Sequence, residues 1–353
     1  MEFWSNVPVR VSDGTTSGAK RGVFVGMDGM GQLINGRWVA DVSVLRQEQG
    51  GLVRQPPKVR NWVRADRSPE FPSRAGRYHL YVSLQCPWAW RTIVYRSVKK
   101  LSSVISMSVA IPNGGGDGWV FGDTMDGSTT DDVEGYTHLH QAYTGARPDY
   151  TGVVSVPVLW GMRRRTIVNN ESGEIIRMLN NEFNHFTSAQ QDYYPPPLRP
   201  RIDGMNDRIY LGLNNAVYRA GAAESQEVYN EACSDIFDTL DWAEQRLSSS
   251  RYLAAAEITE TDWRLAASLV LFELVYYPLF RCNKRTIASY PNLSNYLRDI
   301  YRTPGVAGTV HARQIIRGYY SQKWTAAGII PLEPQGFEAG LAAPHDRSIT
   351  FFS

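Results

Sequence analysis

An α/β domain followed by an all-α domain is the fold class this 353-residue sequence predicts, and three observations carry it. YHLYVSL, residues 78–84, alternates apolar and polar positions as a strand in a layered sheet does. From Pro87 the apolar period becomes helical, and the patterns up to 183 run strand, helix, strand, hairpin, helix. Beyond a proline-rich stretch at 190–200, nearly every apolar pattern is helical.

Residues 1–70 are rich in Gly, Ser, Arg and Pro but keep Phe and Trp, which predicts an extension packed across a domain surface rather than a disordered arm. The α/β domain is assigned to 71–186. After the strand at 78–84, Trp90, Ile93, Val94, Val98 and Leu101 recur on one helix face, with Arg91, Arg96, Lys99 and Lys100 on the other. Residues 103–112 read as a β-rich run and 113–132 as a loop too polar and Gly-rich for regular structure. Two strands, 153–160 and 165–170, flank a short turn, and 171–183 is a helix. This is the element order of a thioredoxin-like layer. Residues 187–205 form a stiff linker, because prolines at 195–197 and 200 deny helix and strand alike. The helical domain is 206–325, clearest at 227–248, 261–282 and 292–302. ITETDW gives it a start signal: Thr259 and Asp262 form a capping box, Ile258 and Trp263 a staple. Residues 326–353 are a tail with little pattern, and no internal repeat is apparent.

Lys and Arg number 37 against 35 Asp and Glu, a net +2 that argues against nucleic-acid or anionic-membrane partners. RRR at 163–165 reads as a solvated turn. The apolar stretch 265–280 is interrupted by Glu273 and too short to span a bilayer comfortably, and MEFWSNVPVR lacks an apolar signal core. Cys86, Cys233 and Cys282 are odd in number and form no CxxC, which fits a reducing, cytoplasmic setting. THLH (137–140) has no further metal ligand at a recognisable spacing, so no metal is expected. NGGGDG lacks the GK[ST] ending of a phosphate loop, and the ten tryptophans read as core and pocket walls.

Cys86 carries the chemistry. It falls at a strand-to-helix junction before Pro87, where first-turn amides and the helix dipole favour negative charge and make a thiolate reactive and a good leaving group. The competing reading is a small buried core thiol. Position 89 is Ala89, so an internal disulfide cannot complete a redox cycle and an external thiol must. The Val156-Pro157 pair is either a cis bond that exposes the Val156 backbone to an extended peptide, or an ordinary trans proline at a sheet edge. Glu171 and Ser172, at a helix start, serve either as a plain cap or as partners for an ammonium and a carboxylate; with Cys86 and Val156 they suit a zwitterionic γ-glutamyl group.

CPWAWR, VPVLW, TIVNNESGEIIRM, NNAVYRAG with SQEVYNEA, LFRCN, and YPNLSNYLRDIYRTPGVAGTV followed by RGYY together resemble the glutathionyl-hydroquinone reductases, the Xi class of glutathione transferases, over about residues 60–325. The resemblance implies a thioredoxin-like domain joined to an all-helical glutathione-transferase C-terminal domain, a homodimer, and reduction of glutathionyl-hydroquinones with glutathione as co-substrate. It makes Cys86 the nucleophile, places glutathione against Trp119, Val156, Pro157, Glu171 and Ser172, and lines the quinol pocket with Tyr218, Tyr319 and, as a third candidate, Tyr276. The chain departs from the family pattern at Trp90, Val153 and Gly161, where histidine, arginine and aspartate are common; the missing arginine removes a charge near glutathione.

Two other functions are compatible with these residues. One is Omega-like thiol transfer on glutathionyl-phenacyl compounds or dehydroascorbate. The other is a non-catalytic binder of aromatic ligands, a reading that Val153 keeps open.

Overall fold

Tyr78–Val82 is buried along its whole length because it lies inside a four-stranded sheet. Ile105–Val109 pairs with it in parallel, and Val158–Gly161 pairs antiparallel on the other side, followed by Thr166–Asn169. A central strand covered on both faces cannot leave a polar residue in water. His79 is therefore buried, its Nδ1 2.7 Å from Ser106 Oγ, and burial pushes its imidazole pKa down to about 4. The computed structural model describes residues 31–40, 46–48, 51–53, 56–66, 70–113, 116–123, 127–321 and 329–347.

Helix α1 (Pro87–Val98) follows the central strand; α2 (Leu139–Ala146) packs on Thr166–Asn169, and α3 (Ser172–Asn181) packs on α1. Two elements differ from the sequence reading. The expected loop at 113–132 contains a strand, Gly118–Val120, paired antiparallel with Ile111–Asn113. Its order comes from that partner and from a bridge between Val120 and His138, not from local preference. Helix α2 has no counterpart in the sequence reading because eight residues are two turns, too few for a period to stand out; its start is set by His138 and Gln141, whose Oε1 accepts from the His138 amide at 2.9 Å.

Pro200, read as a helix breaker, instead lies in the first turn of α4 (Arg199–Ile209). A first-turn residue has no intrahelical acceptor for its N–H, so proline is tolerated there. A π-helical turn (Tyr210–Asn214), α5 (Ala216–Gly221), α6 (Gln226–Leu247), α7 (Glu260–Leu271), α8 (Pro291–Tyr301) and α9 (Ala312–Tyr320) follow. Residues 261–282, read as one helix, pass from α7 into a second π-helical turn at Phe272–Tyr276. The capping box at α7 forms as expected: Asp262 Oδ2 accepts from the Thr259 amide at 2.8 Å and the Thr259 hydroxyl at 2.9 Å. Asp262 Oδ1 also accepts from the Leu253 amide and the Tyr296 hydroxyl, tying α7 to α8.

The described part of the extension forms a hairpin, Gln32–Ile34 with Arg37–Val39, whose first strand pairs with Gly152 and Val153. Gly36 makes this turn possible: its φ is +74°, and a Cβ would stand 1.8 Å from the Pro148 carbonyl oxygen. Residues 60–65 cross α3, where Arg60 pairs with Glu174 and Trp62 Nε1 donates to Glu182 at 3.0 Å. In the tail, Phe337–Ala342 is helical, and buried Arg347 donates to the carbonyl of Leu247, the last residue of α6, and to those of Ser250 and Arg251 just after it.

A buried acid joins the two domains. Glu260 is fully buried at the start of α7 and accepts from Arg177 of α3 (2.9 Å), Arg264 (2.8 Å) and Asn206 (2.9 Å). Removing one partner of such a cluster leaves buried charge uncompensated, so Glu260→Ala should lower stability by about 3–5 kcal/mol. Urea unfolding of both proteins tests this, and a midpoint equal to the parent's would show that the cluster contributes nothing.

Candidate active site

Cys86 is the N-cap of α1, extended at φ −86° and ψ 118°, with Pro87 in the first turn. Its carbonyl receives the Trp90 amide at 2.8 Å, and its half-buried Sγ lies 3.9 Å from the Val156 carbonyl oxygen. First-turn amides have no acceptor within the helix, so the sulfur stands at the positive end of α1. The other two thiols are unsuited to this chemistry. Burial raises the pKa of Cys233, and it pushes Cys282 far higher.

The Val156-Pro157 bond is cis. The loop before it is held by Tyr143, whose hydroxyl donates to the Ser155 carbonyl at 2.9 Å and accepts from Asn170 Nδ2 at 3.2 Å. Glu171 caps α3, its carboxylate accepting from the Gly173 amide at 2.9 Å while its own amide donates to Asn169 Oδ1 at 2.7 Å. Ser172 is buried beside it, its Oγ 3.5 Å from Arg91 Nη1. Cys86, Val156, Pro157 and the α3 start thus gather at one end of the sheet. Trp119 is buried on Gly118–Val120, and among the described residues no hydrogen bond or ring contact joins it to Cys86.

The helical domain supplies an aromatic cluster. The Tyr218 and Tyr319 hydroxyls share a 2.8 Å hydrogen bond, and the rings of Tyr276 and Phe280 pack on Tyr218 at 6.0 and 5.5 Å. The Tyr276 hydroxyl is buried without a hydrogen-bond partner among the described residues. Burial first, then the neighbouring tyrosines and Cys86, holds the pKa values of Tyr276 and Tyr319 well above the ordinary phenol range. The sulfur and the tyrosine cluster therefore lie within electrostatic reach of each other. These hydroxyls stay protonated at any physiological pH.

Three further residues around α1 stand out only in the structure. Gln85 lies against Gly318 of α9: a Cβ on Gly318 would stand 1.3 Å from Gln85 Oε1. Gly318→Ala should therefore overpack the contact beside Cys86 and cost about 1–3 kcal/mol, visible as a lower urea midpoint. An unchanged midpoint would show that Gln85 swings away freely. Arg91, expected on the solvent face of α1, is 2 % exposed and donates to Asn214 Oδ1 at 2.7 Å. Lys99 is likewise buried, donating to the Gln191 carbonyl at 2.8 Å, with its pKa pushed down to about 8 by burial. The expected solvent side of α1 is covered at these two residues, by Asn214 of the helical domain over Arg91 and by Gln191 of the linker over Lys99. A basic residue inside CPWAWR was the available signal for Arg91.

A thioredoxin-like layer with a cysteine starting its first helix, joined to an all-helical domain, is the build of a cysteine-type glutathione transferase. Residues 85–182 match the glutathione S-transferase N-terminal domain family and 226–299 the C-terminal domain family. The chain is 43% identical over 330 residues to glutathionyl-hydroquinone reductase YqjG of Escherichia coli, covering 91% of this chain and all of that one. It is 40% identical to glutathionyl-hydroquinone reductase PcpF of Sphingobium chlorophenolicum, covering 86% and 96%. Among solved structures, the Xi-class enzyme of Natrialba magadii superposes with a TM-score of 0.85 at 41% identity, covering 91% and 98%. The glutathione-bound YqjG structure superposes at 0.82 and 42% identity, covering 91% and 100%. The chain belongs to the Xi-class glutathione transferases, the glutathionyl-hydroquinone reductase family.

Its departures from the family pattern have structural settings. Trp90 is buried and its indole donates to Thr309 Oγ1 at 3.1 Å, pinning α1 to the helical domain. Val153 pairs with Gln32 of the extension. Gly161 ends the strand Val158–Gly161, paired with Tyr78 and Thr166. Among the described residues, no helix is long and apolar enough to cross a membrane and no group of three or more His, Cys, Asp or Glu is placed to hold a metal ion.

Proposed function

We propose that this chain reduces glutathionyl-hydroquinones to hydroquinones through a Cys86–glutathione mixed disulfide. The observation that carries the reading is the Cys86 sulfur at the start of α1, 3.9 Å from the Val156 carbonyl and within electrostatic reach of the paired Tyr218 and Tyr319 hydroxyls. Two relatives that align over nearly all of their length bear the name of this activity.

In the first step the Cys86 thiolate attacks the glutathionyl sulfur of the conjugate. An S–S bond forms, the carbon–sulfur bond breaks, and its electron pair leaves on the ring carbon, which takes a proton. Tyr218 and Tyr319 hydrogen-bond the ring oxygens and assist that protonation, with Tyr276 in the same pocket. In the second step a glutathione thiolate attacks the mixed disulfide, releasing glutathione disulfide and regenerating Cys86. Glutathione lies against Trp119 with its backbone along Val156-Pro157, its carboxylate at Ser172 and its ammonium at Glu171. The enzyme works as a homodimer in a reducing cytoplasm, with residues 71–186 as the glutathione domain and 206–325 as the quinol domain.

Intact-protein mass spectrometry after mixing with glutathionyl-menadiol tests the proposal. One glutathione adduct at Cys86 is expected, and its absence under turnover sinks the reaction. A broader thiol transfer has one specific support: glutathione S-transferase omega-like 2 of Schizosaccharomyces pombe is 40% identical over 281 residues. Faster turnover of dehydroascorbate or glutathionyl-phenacyl compounds than of the menadiol conjugate would favour it.

A further inference from the structure

Arg91 lies one turn into α1, is 2 % exposed, and has three neighbours that matter: Asn214 Oδ1 at 2.7 Å, Ser172 Oγ at 3.5 Å and the Trp88 ring at 4.6 Å. Its Nε has no acceptor among the described residues. Among the described residues no carboxylate accepts a hydrogen bond from it, so a buried positive charge has only neutral hydrogen-bond acceptors, which is costly. Burial, with Arg264 close by, pushes its pKa down to about 9, while Glu171, Glu260 and Cys86 oppose the shift. The charge therefore lies within electrostatic reach of the Glu171 cap of α3, of Glu260 and of the sulfur.

Arginine can only donate. When Arg91 Nη1 donates to Ser172 Oγ, the Ser172 hydroxyl hydrogen is left to point elsewhere, at the start of a helix whose amides already favour an anion. Asn214 extends the arrangement into the helical domain, since its Nδ2 donates to Ser268 Oγ at 2.7 Å and to the Arg264 carbonyl at 3.1 Å.

We infer that Arg91 is a positioning residue for glutathione: it aims the Ser172 hydroxyl at the ligand carboxylate and locks the α3 start to Asn214 of the helical domain. This rests on the proposed seat of glutathione at Ser172.

A double-mutant cycle on the full chain, read by calorimetric titration with reduced glutathione, tests it. Arg91→Met should weaken binding about tenfold, the loss of roughly one charge-assisted hydrogen bond. In a Ser172→Ala background the same change should weaken it less than about threefold, because residues acting through one another do not add. An equal factor in both backgrounds, or unchanged affinity in Arg91→Met, overturns the inference. Should Arg91→Met not fold, Arg91→Lys serves: it keeps a charge but cannot bridge both partners, and affinity equal to the parent's would likewise overturn it. The cycle reads binding alone, so a loss of reductase turnover, which sinks the proposed reaction, leaves its outcome unchanged.

Discussion

Cys86→Ser is expected to lower turnover of glutathionyl-menadiol at least ~1000-fold, the scale on which removal of a covalent nucleophile acts. Serine fills the same N-cap and keeps the extended backbone, so the fold and the glutathione seat should survive. A hydroxyl at a helix start is still neutral at pH 7 and cannot form the mixed disulfide. Neither other cysteine can stand in: burial raises the pKa of half-buried Cys233 and raises that of fully buried Cys282 further. Product chromatography with the menadiol conjugate reads the rate, calorimetry with glutathione reads the seat, and intact mass reads the adduct. Turnover in the serine variant within tenfold of the parent's would remove Cys86 from the chemistry. Lost glutathione binding would mean instead that the substitution had damaged the pocket.

The second large effect is expected at the tyrosine pair. Tyr319→Phe should lower kcat about 100-fold, the usual scale for a lost general acid, while KM changes little. Tyr218→Phe should act similarly, and the double variant should fall well short of the product of the two losses, because the hydroxyls share one 2.8 Å hydrogen bond and act as a unit. The pH profile adds an independent check. Burial, Tyr218, Tyr276 and Cys86 all raise the Tyr319 pKa, so its proton is retained at every physiological pH. The parent should therefore show no fall in kcat from Tyr319 deprotonation as pH rises to 10. A kcat within threefold of the parent's for Tyr319→Phe would leave the pair as pocket wall only.

Part of this molecule is legible in its sequence. Strand and helix around Cys86 show as a change of period at Pro87, and the α3 start shows as a strand ending at a Glu-Ser cap. The α7 capping box can be read from Thr259 and Asp262 alone. All three are local: the residues that make each signal lie within one or two turns of one another. The strand Gly118–Val120 and the two-turn helix α2 leave no such trace, because one depends on a partner strand and the other is too short to show a period.

By itself the sequence determined a lone cysteine at a helix start, the strand before it and the helix after it, and the residues that could meet a γ-glutamyl thiol. Only the tertiary structure decided that Arg91 and Lys99 lie inside, that the Tyr218 and Tyr319 hydroxyls are hydrogen-bonded to each other, and that Gly318 must be bare for Gln85. The reason is distance along the chain. Tyr218 and Tyr319 are 101 residues apart and Arg91 and Asn214 are 123 apart, and no local period records which of two helix faces a second domain will cover.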